Sequence, residues 1–253
     1  MTFDKKTETK LEAAAKESTS NNYLSPISPS RLFDLYFKPK QYFTNIRQLD
    51  DSFAIIICAL VMGIATSMNS VGQLISTLGA FNSIPLIQEQ YLMLIDGWGN
   101  YWQSAFISGV VYAVLLWLTG GWWYEVRLRF CKAKEVDLDD ARRLYVIQEF
   151  VCSAPFVIMG VLQFFMYANY AQVVQSKTIW ISIALFFVIW SCWTSYTAAT
   201  TAYQLSKIKA MLFFLLMPMA FYIAVFIFQL QQFDTMQDIL NSALREQMLL
   251  INP

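Results

Sequence analysis

The chain has 253 residues, 57% of them hydrophobic and 14% charged, far fewer charges than the roughly 25% of a soluble domain. Eighteen Lys and Arg balance eighteen Asp and Glu, so bulk charge offers nothing to nucleic acid. There is no histidine, which removes the commonest general base and metal ligand; no catalytic, metal or cofactor site is expected.

Residues 1–28, "MTFDKKTETKLEAAAKESTSNNYLSPIS", are rich in Lys, Glu, Ser, Thr and Asn and read as a disordered cytoplasmic tail. The segment has no apolar core, so it is not a signal peptide.

Next comes "SRLFDLYFKPKQYF", Ser30 to Phe43. Ser30 is placed to cap a short helix, and Pro39 ends it or starts a second. Cations and aromatics side by side just before an apolar run predict an interfacial anchor. Phe33, Tyr36, Phe37, Tyr42 and Phe43 would sink into the headgroup boundary around Pro39, while Arg31, Lys38 and Lys40 meet anionic lipid.

Five apolar runs follow, at about 53–76, 102–124, 147–170, 179–203 and 210–231. Each supplies the ~20 residues that cross a bilayer as a helix, and none alternates as a transmembrane strand would. The predicted fold is therefore all-α, a polytopic bundle of five transmembrane helices with short interfacial helices, spanning residues 29–232. "IPLIQEQYLMLIDGWGNYW" in the first outer loop is too interrupted to span. Residues 233–253 carry Phe233, Met236, Ile239, Leu240, Ala243 and Leu244 at helical spacing, which predicts an external amphipathic helix.

Cations fix the orientation. Arg31, Lys38, Lys40 and Arg47 precede the first span; Arg127, Arg129, Lys132, Lys134, Arg142 and Arg143 lie between the second and third; Lys207 and Lys209 lie between the fourth and fifth. The positive-inside rule then puts the N-terminus in the cytoplasm and the C-terminus outside.

Small residues recur every fourth position in three spans: Ala59, Gly63 and Ser67; Ala105, Gly109 and Ala113; Ser191, Ser195 and Ala199. Such stripes let backbones approach closely, either within the chain or against a partner. Pro155 and Pro218 predict bends in the third and fifth spans. Glu149 is the candidate intramembrane acid; the simpler expectation is that it reaches the interface or pairs with Arg142 or Arg143. Glu125 is expected at the surface with Arg127 or Arg129, and "GGWWY", Gly120 to Tyr124, as a flexible, aromatic-belted span end. "TSYTAATTAY" in the fourth span either lines a wet cavity or bonds its own helix carbonyls. No pair among Cys58, Cys131, Cys152 and Cys192 has CxxC spacing, and the three in apolar runs, Cys58, Cys152 and Cys192, read as small hydrophobes. No Walker A loop, GxSxG, HExxH or dinucleotide fingerprint occurs.

The order of "SPSRLFDLYFKPKQYF", five spans, "ARRLYVIQEFVCSAPFVI" and "YQLSKIKA" resembles the Yip domain family, the Ypt/Rab-interacting proteins and their prokaryotic relatives. Pro39 with Tyr42 and Phe43, and Ala154-Pro155 in the third span, carry the likeness over roughly residues 28–232. Eukaryotic members carry Asp-Leu-x-Gly-Pro before the first span; "FDLYFKPKQ" lacks its Gly-Pro, so the likeness is closer to the bacterial branch.

The resemblance implies a non-enzymatic accessory or scaffold protein of a bacterial inner membrane that binds other membrane proteins, an exporter assembly of the ATP-binding-cassette type among them. Two alternatives stand beside it: a transporter or channel using the bent third and fifth spans, and a eukaryotic adaptor that recruits a Rab GTPase.

Overall fold

The computed structural model describes residues 28–44, 52–80, 97–175 and 177–228. The N-terminal tail, the first outer loop up to residue 96 and the C-terminal segment lie outside the described residues. Within them the chain is helical, without strands. Two short helices, α1 (Pro29–Phe37) and α2 (Pro39–Thr44), precede α3 (Ser52–Ala80), α4 (Trp98–Phe130) and α5 (Leu138–Met166). A short α6 (Tyr170–Gln175), α7 (Lys177–Ala202) and α8 (Lys207–Phe228) complete the described chain. Five of these, α3, α4, α5, α7 and α8, are long and apolar enough to cross a membrane.

The helices overrun the apolar runs that define them. α4 has 33 residues, about 50 Å at 1.5 Å per residue, against a hydrocarbon core of ~30 Å. It begins at Trp98, inside the stretch read as loop. It ends in a turn carrying Arg127 and Arg129, where cations face the negative end of the helix dipole. α5 begins nine residues before the predicted span. Asp137 caps it by accepting from the Asp139 N–H, and Asp139 and Asp140 sit in its first turn, as acidic residues should. Between them Lys132 takes φ 63° while the Ala133 N–H reaches back to the Leu128 carbonyl. This is a helix stop of the kind usually closed by glycine. Cys131 lies buried in this loop, and burial pushes its thiol pKa up.

Pro155 lies within α5. Pro218 acts visibly: the turn before it, Leu212–Leu216, is a π turn, with the Met217 N–H donating to the Leu212 carbonyl. A proline ring clashes with the carbonyl four residues earlier, here Phe214, and widening the turn moves that carbonyl aside.

The main core joins α1, α2, α3, α4, α5, α7 and the start of α8 around Tyr42, Phe43, Tyr124, Val151, Ala199 and Phe214. A smaller one, with Met68, Trp98, Tyr101 and Val173, closes the other end of the bundle. There the Trp98 indole donates to the Tyr167 carbonyl at 2.9 Å and Tyr101 stacks on Tyr170.

Candidate functional site

The small-residue stripes of α3 and α4 face each other. A Cβ on Gly63 would collide with the Gly109 carbonyl oxygen and lie 2.6 Å from the Ala113 nitrogen. One turn on, Ser67 and Ser108 share a hydrogen bond at 2.5 Å, and Ala105 is fully buried. Ala59 packs on the main core. These stripes are internal to the chain. The third stripe divides: Ala199 joins the main core, whereas Ser191 and Ser195 line a cavity.

The opening segment divides into exposed and buried residues. Phe33 and Phe37 are 55% and 69% exposed and rest against each other; Arg31, Lys38 and Lys40 are not buried. Tyr42 and Phe43, expected at the headgroups, are instead 1% exposed, with Leu35 beside them in the core. Their helix pair packs against the long helices. The Trp190 indole of α7 donates to the Tyr36 carbonyl at 3.1 Å, and the Tyr36 hydroxyl reaches the Phe150 carbonyl of α5 at 3.5 Å. Alternation within the segment decides this: the face bearing Leu35, Tyr42 and Phe43 turns inward, and the other stays out.

Glycines 120 and 121 are not a flexible end. They sit inside α4, where a Cβ would strike the Tyr145 ring and the Arg142 side chain of α5. Glu125 is buried, and it holds the exposed Arg129 at 2.6 Å. Arg142, a proposed partner of Glu149, pairs with Asp139 at 3.1 Å.

Where α4, α5, α7 and α8 converge, towards the end carrying the Arg127–Arg143 loop, they enclose a cavity of 420 Å³. Its polar lining comes from Arg127, Tyr145, Gln148, Glu149, Ser191, Ser195 and Tyr222, and its apolar lining includes Trp123, Phe213, Met217, Pro218 and Phe221. Arg127, which looked like a loop cation, is 7% exposed. Its guanidinium carbon lies 5.1 Å from the Tyr124 ring centre and 4.8 Å from that of Phe214, so two aromatic faces stabilise its charge. Glu149 lies eleven residues into α5, about 16 Å along it, and accepts from the Gln148 amide at 2.9 Å.

Three atoms in this lining are buried without a hydrogen-bond partner in the protein: Arg127 Nε, Gln148 Oε1 and Ser195 Oγ. The threonines of the "TSYTAATTAY" stretch behave otherwise. Thr194, Thr197 and Thr200 donate to the Trp190, Trp193 and Tyr196 carbonyls of their own helix. The polar contribution of α7 to the cavity thus comes from Ser191 and Ser195, not from these threonines. Among the described residues no cluster of His, Cys, Asp and Glu could hold a metal ion.

Comparison with known proteins places the chain. No curated protein and no solved structure matches it. A family model, the Yip1 domain, matches residues 33–228, from within α1 to the end of α8 and over all five long apolar helices. The chain is an integral membrane protein and belongs to the Yip1 domain family.

Proposed function

We propose that this protein is a non-enzymatic accessory subunit that works by binding other membrane proteins in a bacterial inner membrane. An exporter assembly of the ATP-binding-cassette type is the partner class. What supports the reading is the last span. Half of the apolar stretch of α3 is buried within the chain, against 6% of that of α8. From Ala220 to Val225 every α8 side chain is exposed, on all sides of the helix, with Phe221, Tyr222 and Val225 among them. The face of α8 bearing Ala220, Ile223, Ala224 and Ile227, away from Phe221, is exposed, and its two alanines one turn apart suit a close helix-to-helix contact. A photocrosslinking residue in place of Phe228, illuminated in native membranes, is expected to give discrete protein adducts. Lipid adducts alone, with the purified protein carrying a solute into liposomes, would overturn the reading.

The cavity favours a second reading, a transporter, because Pro218 and the π turn shape one of its walls. Solute flux in liposomes separates the two.

The orientation follows from the cations, with the N-terminus in the cytoplasm. In a cysteine-free background, Gly99→Cys is expected to react with an impermeant thiol reagent in intact cells. Lys134→Cys should react only once the cytoplasm is opened. The opposite pattern would invert the topology.

A further inference from the structure

We propose that the cavity is a binding site for the headgroup of a zwitterionic phospholipid bearing a primary amine. The site does not rest on the partner-binding reading. Its inner lining requires a ligand that both accepts and donates. Arg127 Nε has a hydrogen to give and Gln148 Oε1 a lone pair to fill, and both are buried without a partner. Ser195 Oγ, beside the Tyr124 hydroxyl but without a hydrogen bond of good geometry, can do either. A buried polar atom left unpaired is costly, so a ligand that completes all three gains where one that completes one does not.

Charge narrows the class. The cavity holds one cation, Arg127, and one acid, Glu149, on neighbouring helices. A plain anion would meet Glu149, and a plain cation would meet Arg127. A phosphate on Arg127 with an ammonium group near Glu149 and Gln148 satisfies both. A quaternary ammonium has no N–H for Gln148 Oε1, whereas a primary ammonium has three, enough to serve Gln148 Oε1 and Glu149 together.

The rim identifies the source. Trp123, Met217 and Phe221 line the same cavity yet are exposed, on the apolar flank between α4 and α8. A bilayer covers that flank. The polar end is inside and the apolar rim faces acyl chains, which is the polarity of a lipid entering headgroup first. The volume of 420 Å³ falls in the ~300–1,000 Å³ range of small-ligand sites.

Native mass spectrometry of the detergent-purified protein, titrated with phosphatidylethanolamine, phosphatidylcholine, phosphatidylglycerol and free phosphoethanolamine, tests the assignment. Phosphatidylethanolamine is expected to bind at least about tenfold more tightly than the other two lipids, as one charge-assisted hydrogen bond would give. Glu149→Gln, which keeps the shape and removes the charge, should erase the preference over phosphatidylglycerol. Ser195→Ala, a smaller change, should weaken phosphatidylethanolamine binding even if Glu149→Gln fails to fold. Equal binding of the three lipids, as for a cavity filled by water, overturns the proposal, as does a preference that survives both substitutions. Free phosphoethanolamine binding as tightly as the lipid would overturn the bilayer as the source.

Discussion

Gly63→Leu should unfold the bundle. The position allows no side chain: even a Cβ would run into the Gly109 carbonyl and crowd the Ala113 nitrogen and Cβ. Two of those three atoms are backbone in the middle of α4, so neither rotates away. Relief requires α3 and α4 to separate, which also breaks the Ser67–Ser108 hydrogen bond. Overpacking a tight core usually costs about 1–3 kcal/mol, sometimes more, and a four-carbon side chain against fixed backbone belongs at or above ~3 kcal/mol. The expected result is loss of the monodisperse peak and of cooperative thermal unfolding in detergent. Gly63→Ala should show the same trend, less severely. Gly99→Ala is the control, because a Cβ there meets nothing within 4 Å, and it should leave stability unchanged or slightly raised. Were Gly63→Leu to stay folded and lose only a complex, the stripe would have to face a partner, against the geometry.

The stripe was visible in the sequence, since Ala, Gly and Ser at every fourth position need no structure to count. Its direction was not, because the residues opposite Gly63 lie in another helix. The five spans were legible for a related reason: ~20 apolar residues in a row have one stable use. Helix ends were less so. α5 starts in "DLDDARR", whose capping aspartates can be recognised, but its hydropathy hides the start. The cavity was the least legible feature. Glu149 stood out as an acid in an apolar run, yet Arg127 read as a topology cation. Its burial comes from α4 running on past the apolar stretch and from Phe214, which lies in the π turn before Pro218. Gln148, beside Glu149 in sequence, carried no signal of its own. The glycines at 120 and 121 looked like slack because their neighbours, Arg142 and Tyr145, belong to a segment that hydropathy assigns to a loop.

Tyr42→Ala should destabilise the protein far more than Phe37→Ala, although both residues belong to one aromatic, cationic stretch before the first span. Tyr42 and Phe43 meet edge to face, with ring centres 5.1 Å apart. Both belong to the core that also holds Tyr124, Val151 and Ala199. Truncating a buried aromatic removes its transfer energy and leaves a cavity, a loss of about 3–5 kcal/mol. Phe37 sits on the outer face and touches Phe33, so its loss removes contacts with lipid more than contacts with protein. Thermal unfolding in detergent should therefore separate the two variants clearly, with Phe37→Ala close to the parent. Replacing Arg31, Lys38 and Lys40 together by Gln should also leave unfolding unchanged. In vesicles rich in anionic lipid it should weaken the hold of the segment by about 1 kcal/mol per charge. If Tyr42→Ala and Phe37→Ala were equally mild, the helix pair would be an anchor alone, resting on the membrane and not wedged against α5 and α7. If Tyr42→Ala is severe, the segment is part of the fold: its inner face holds the bundle together, and the vesicle measurement decides whether its outer face grips the membrane.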